Sequence, residues 1–243
     1  MERKFYQVST LNALMLGNFD GVVDVRELLA HGAWGIGTYE GLDGEAIVCD
    51  GKAFNGQADG VARPYGDTKR LAFATVADFS DRAGSFRLGR IDTGDNLDGV
   101  KDALERARVA YDDNDNAWCM MAMHGAFPHV HVRSCFKQTA KPYPMLPEVA
   151  SCQREFRFTD QEGWVIGVWV PTYLDGINMP GWHIHFLSDD RKRGGHLLGL
   201  SVDSAKGTIE TYADFEMRMP TNTEFDKLNL REDLSAATQA VEG

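Results

Sequence analysis

The sequence of 243 residues is long enough to bury one large core or two smaller ones, and its 43% hydrophobic share is that of a globular protein. A formal net charge of −11 repels nucleic acid instead of steering it in. No run approaches the roughly twenty apolar residues of a membrane span, and the start, Met1-Glu2-Arg3-Lys4-Phe5, lacks the apolar core of a secretory signal. Neither nucleic acid nor membrane is therefore an expected partner. The four cysteines, Cys49, Cys119, Cys135 and Cys152, are scattered without C-x-x-C spacing, which fits reduced thiols in a cytoplasmic protein.

Residues 10–16 predict a short helix stopped at Gly17. Residues 23–30 predict a second, with Val25, Leu28 and Leu29 on one side and His31-Gly32 as its cap. Residues 34–42 and 45–50 then read as strands joined at Asp43-Gly44, a pair suited to the positive φ that a two-residue hairpin turn demands. Such a turn pairs Leu42 with Glu45, Glu40 with Ile47 and Thr38 with Cys49. Paired residues share a face, so Trp34, Ile36, Thr38, Leu42, Glu45, Ile47 and Cys49 point the same way. A carboxylate on that mostly apolar face has a partner, serves chemistry, or merely borders the turn in solvent.

Residues 98–110 predict a helix with Val100, Ala103, Leu104 and Ala107 on one side, and residues 117–123 a buried strand. From Pro128 to Cys135 the chain alternates, with Val130 and Val132 on one face and His129, His131 and Arg133 on the other. Past Lys141-Pro142-Tyr143-Pro144 a short helical or irregular piece reaches Cys152, and strands then dominate. The apolar run 164–170 reads as a central strand covered on both sides. Residues 197–202 and 208–213 add two strands, and from Thr223 a helix and then a tail ending Val241-Glu242-Gly243 are expected. Arg191-Lys192-Arg193, flanked by Asp189 and Asp190, reads as a solvated turn. The change of character within 138–151 divides the chain into residues 1–140 and 141–243.

The chemistry concentrates in Gly181-Trp182-His183-Ile184-His185-Phe186 and Gly194-Gly195-His196. Histidines at i and i+2 of a strand project from one face, and a Gly-Gly turn can bring back a third. Three neutral imidazoles with a fourth position open describe a catalytic zinc site; the plainer alternative is half-buried histidines satisfying local hydrogen bonds. His129-Val130-His131 with His124 nearby forms a rival cluster, read as a polar strand face.

Taken together, these motifs resemble the alpha-acetolactate decarboxylase family over nearly the whole chain. The resemblance rests on Ser9-Thr10-Leu11-Asn12-Ala13-Leu14, Val25-Arg26-Glu27-Leu28-Leu29, Gly35-Ile36-Gly37-Thr38, Leu42-Asp43-Gly44-Glu45, Lys141-Pro142-Tyr143 and the two histidine segments. It implies zinc on His183, His185 and His196, pocket glutamates at Glu45 and Glu242, a pocket wall at Thr38 and Leu42, and an arginine at Arg133. Where the family carries T-R-T, this chain reads Val132-Arg133-Ser134.

The implied fold is α+β: an N-terminal mixed sheet over residues 1–140 that extends across a homodimer, and a smaller C-terminal β domain, 141–243, carrying the metal, its tail returning to the site. The implied reaction converts 2-acetolactate to acetoin and carbon dioxide through a metal-stabilised enediolate and a stereospecific protonation. Two other classes remain open: another mononuclear metal enzyme, such as a cupin-like oxygenase, and a metal-stabilised binding module. The oxygenase normally needs a carboxylate ligand and the structural site a fourth protein ligand; neither stands at ligand spacing.

Overall fold

Two β-sheets carry the chain, with a few short helices against them. The computed structural model describes residues 4–242, apart from the side chains of Gln239 and Glu242. Along the first part run β1 (Lys4–Val8), α1 (Leu11–Met15), β2 (Val23–Asp24), α2 (Val25–Leu29), β3 (Trp34–Tyr39), β4 (Glu45–Cys49), β5 (Lys52–Gly56), β6 (Ala62–Pro64) and β7 (Arg70–Ala77). Next come β8 (Gly84–Leu88), α3 (Asp98–Tyr111), β9 (Trp118–Ser134), α4 (Leu146–Ala150) and β10 (Arg154–Val170). The chain closes with β11 (Gly181–Ser188), β12 (Gly194–Ser201), β13 (Ser204–Tyr212), β14 (Asp214–Arg218) and α5 (Ser235–Glu242).

The first sheet has the order β14-β1-β7-β3-β4-β5-β6, with β2 also on β7. It is mixed, because β1 runs parallel to β14 and antiparallel to β7. The second has the order β10-β11-β12-β9-β13-β8, and β10 pairs with β9 as well. The pairings β9–β12–β11–β10–β9 therefore close on themselves, and these four strands form a ring. Sheet membership crosses residue 140: β8 and β9 lie in the second sheet and β14 in the first.

The apolar alternation explains how the sheets meet. Ile36, Ile47, Cys49 and Phe54 of the first sheet pack on Met120, Ala122, Ile166, Val168 and Leu187 of the second. Along β10, Ile166, Val168 and Val170 face that shared core, while Val165 and Trp169 face a second core beneath α3. The apolar run 164–170 is thus covered on both sides, although both of its neighbouring strands are antiparallel. No helix is long and apolar enough to cross a membrane among the described residues.

Local expectations meet three corrections. The β3–β4 register differs: Thr38 pairs with Glu45 and Ile36 with Ile47, so Leu42 is not in the ladder. Residues 40–42 turn through left-handed backbone, with φ of 73° at Gly41 and 54° at Leu42, which lengthens the reversal. The slip is an even number of residues, so Thr38, Glu45, Ile47 and Ile36 still share one face. The second helix begins at Val25, capped by Asp24 accepting from the Glu27 N–H at 2.8 Å, because Val23–Asp24 pairs with β7 instead. Near the C-terminus, the helix expected from Thr223 is only a 3₁₀ turn, and α5 stands where a tail was expected. Pro128 lies inside β9, opposite Asp160 with its φ of 53°, where the ladder skips a pair and needs no N–H.

The Gly35-Ile36-Gly37 segment lets β3 lie close on β7. A Cβ on Gly35 would stand 2.1 Å from the Thr75 carbonyl oxygen and 2.9 Å from Val76 Cα, both backbone atoms of a central strand. Gly35→Ala is expected to lower stability by about 2–3 kcal/mol, the upper range of overpacking costs. Urea unfolding reads this directly; an unchanged midpoint would show that the two strands separate without penalty.

Candidate active site

β11 alternates its side chains, so His183 and His185 project from the same face while Ile184 enters the core under α3. β12 returns antiparallel and sets His196 directly opposite His185. The reversal is made by residues 189–193, not by the two glycines, which are the first residues of β12. Asp190 builds this turn, accepting from the Ser188 hydroxyl at 2.6 Å and the Lys192 N–H at 3.0 Å, and Arg193 reaches it at 3.3 Å. The glycines serve close approach: a Cβ on Gly195 would lie 2.7 Å from the Arg133 carbonyl oxygen.

The ring nitrogens converge. His183 Nε2 is 2.9 Å from His196 Nδ1 and 3.2 Å from His185 Nε2, and the three ligand atoms lie within 4.8 Å of one another. All three residues are buried, His185 completely. Burial in this apolar setting disfavours imidazolium, and the nearby Arg133 charge adds to the effect on His183 and His196. The His183 pKa falls to about 3, and those of His185 and His196 fall well below the ordinary value. The neutral imidazole that results is the form that binds metal.

His185 Nδ1 lies 3.0 Å from the Ala46 carbonyl oxygen, which requires the proton on Nδ1 and turns the Nε2 lone pair inward. His183 Nε2 has two close ring nitrogens but can form a hydrogen bond with only one of them, so the other contact sets nitrogen against nitrogen with no proton shared between them. A cation between the rings removes that conflict. The donor set, three neutral nitrogens on two paired strands, fits zinc with one position left for a substrate. Among the described residues, this is the one cluster of three metal-ligating side chains.

The remaining predicted residues surround the triad. Glu45, the first residue of β4, places Oε2 3.7 Å from His185 Nε2, with its side chain mostly buried. Thr38 lies across from it, its hydroxyl donating to the Gly44 carbonyl at 2.8 Å. Arg133 on β9 pairs across the ladder with His196 on one side and Glu155 on the other. It is 4% exposed and donates from Nη1 to Gln153 Oε1 at 2.9 Å. Thr38, Leu42, Glu45, Arg133 and His183 line one cleft.

The Glu242 side chain lies outside the described residues. Its neighbour Val241, with Ala237, packs into the cluster of Leu11, Leu14, Phe73, Leu42 and Leu146, several of which form the apolar wall of the cleft.

His124, His129 and His131 do not converge. His129 Nε2 meets Asp95 at 2.6 Å, His131 Nε2 meets Glu155 at 3.0 Å and His124 meets Asp189 at 2.9 Å, so the nearest carboxylate of each imidazole is a different one. The sequence reading also missed Leu11, Leu14, Phe73, Cys135 and Leu146 on the cleft wall, and Gln153 behind Arg133. Their apolar periodicity is visible in the chain, but not the surface each covers.

The profile of the alpha-acetolactate decarboxylase family matches residues 5–232. The alpha-acetolactate decarboxylase of Methanosarcina mazei is 35% identical over 98% of this chain and 79% of its own, and that of Klebsiella aerogenes is 33% identical over 98% and 88%. Among solved structures, alpha-acetolactate decarboxylase from Bacillus subtilis superposes with a TM-score of 0.90 at 28% identity, covering 99% of both chains. A Staphylococcus aureus protein of unknown function, similar to alpha-acetolactate decarboxylase, gives 0.89 at 30% identity over 98% of this chain and all of its own. With the histidine triad and the cleft set on the fold that these relatives share, the chain belongs to the alpha-acetolactate decarboxylase family.

Proposed function

We propose that this protein decarboxylates 2-acetolactate to acetoin and carbon dioxide, with zinc on His183, His185 and His196. The observation that carries the reading is the convergence of three neutral ring nitrogens beside a cleft that also holds Arg133, Thr38 and Glu45. Zinc held there would supply Lewis-acid chemistry to the reacting end of the substrate.

Arg133 receives the substrate carboxylate, a planar bidentate task that lysine fills poorly. The apolar wall of Leu11, Leu14, Phe73 and Leu146 holds the methyl groups and excludes water. When the bond from the tertiary carbon to the carboxylate breaks, its electron pair passes to the former ketone oxygen and leaves an enediolate. Glu45 then delivers a proton to one face of the carbon that lost carbon dioxide, setting the handedness of acetoin. Its strand position favours it as donor over Glu242, whose part in the pocket belongs to the same proposal. So do a homodimer and a cytoplasmic location.

Purified protein incubated with racemic acetolactate tests the reading, with carbon dioxide and acetoin followed before chelation, after it and after zinc restoration. Acetoin is expected to form, to cease on metal removal and to return with zinc. Full activity at zero metal content would overturn the metal's role, and bound metal without acetoin would overturn the substrate.

A further inference from the structure

The Arg133 guanidinium is held from behind by a polar chain that leads away from the cleft. Across the β9–β10 ladder, Arg133 pairs with Glu155 and His131 with Arg157, which places these side chains on one face. Gln153 stands immediately before β10. Its Oε1 accepts from Arg133 Nη1 at 2.9 Å, and its Nε2 donates to Glu155 Oε1 at 3.4 Å. The other Glu155 oxygen meets Nε2 of the buried His131 at 3.0 Å. Beyond it, His131 Nδ1 lies 3.5 Å from Asp95 Oδ1, which also meets His129 at 2.6 Å and Arg157 at 3.2 Å.

The chemistry of the amide gives this chain a direction. A glutamine side chain has an acceptor end and a donor end, and the Glu155 carboxylate can take only the donor end. The carbonyl is thereby turned toward Arg133. A neutral partner also matters electrostatically, because it accepts one N–H without cancelling charge that a substrate carboxylate needs.

We propose that Gln153 is a positioning residue for Arg133: clamped by Glu155, and through it by His131, it fixes the guanidinium plane for a substrate carboxylate. The inference rests on the reading of the cleft as the acetolactate site.

The test compares Gln153→Ala and Gln153→Glu with the parent enzyme as zinc holoenzymes, measuring kcat, KM for acetolactate, and inhibition by acetoin, which lacks the carboxylate. Gln153→Ala is expected to raise KM about 10-fold to 30-fold, the scale for losing a hydrogen bond to a charged group, with kcat nearly unchanged. Gln153→Glu keeps an acceptor but adds a competing carboxylate, and raises KM further, to about 100-fold. Acetoin inhibition stays within about 2-fold of the parent value in both, because the neutral product makes no demand on the guanidinium charge.

An unchanged KM in Gln153→Ala overturns the proposal, and so does a parallel weakening of acetoin binding, which marks general damage to the cleft. Arg133→Ala separates this from the underlying reading. If the parent enzyme makes no acetoin, or Arg133→Ala keeps the parent KM, the reading of the cleft fails and the positioning role falls with it. If Arg133→Ala is crippled while Gln153→Ala is not, the positioning role alone fails.

Discussion

Replacing His185 with alanine is expected to remove zinc and acetoin formation together. His185 is fully buried, its outer nitrogen is held on the Ala46 carbonyl and its inner nitrogen faces His183. No side chain of β11 or β12 can move into its place, because the strand pairing fixes their directions. A metal acting as Lewis acid contributes several kcal/mol to the transition state, so its loss lowers the rate on the order of 10³-fold or more. Metal analysis should fall from about one zinc per chain to near zero, as a two-histidine remnant lacks the third ligand of a catalytic site. The variant also strands the Ala46 carbonyl, at a cost of about 1–3 kcal/mol. A folded His185→Ala protein that retains stoichiometric zinc or parent activity would refute the triad as the metal site.

The second large effect belongs to Glu45→Gln. The substitution keeps the shape and the position beside His185 but removes the proton that the carboxyl can deliver. Loss of a positioned general acid lowers the rate about 10²-fold to 10⁴-fold. More telling is the product. Without a donor fixed on one side, water protonates the enediolate from either face, and acetoin loses its single handedness. Chiral chromatography of the product distinguishes the two glutamates: a slowed enzyme that still makes one enantiomer assigns the donor role away from Glu45.

Much of the site was legible because it depends on strand parity. His183 and His185 share a face whatever else the chain does, and the direct pairing of His185 with His196 needs only an antiparallel return. Thr38 and Glu45 were placed together although their register was wrong, since an even slip preserves the face. The register itself was hidden by Leu42, a branched residue with φ of 54° in a position where glycine or asparagine would have announced the turn. The strand through Pro128 was hidden for the opposite reason: proline signals a break, and here the ladder supplies the irregular spot that accommodates it. The cleft wall was beyond reach. Leu11, Leu14, Phe73 and Leu146 come from α1, β7 and α4, and an apolar face does not name the surface that it covers. Gln153 carries no pattern at all, and only the β9–β10 ladder brings it behind Arg133.

The parallel pairing of β1 with β14 has a consequence for how the protein is made. β1 is translated before both of its partners: it can dock on β7 after residues 70–77 emerge, but its outer side waits for Asp214–Arg218. At about 5–20 residues per second, synthesis leaves that side uncovered for roughly 10–40 seconds. During this interval β1 presents unpaired backbone groups to any neighbouring nascent chain, and the late-made β14 is the strand that covers them.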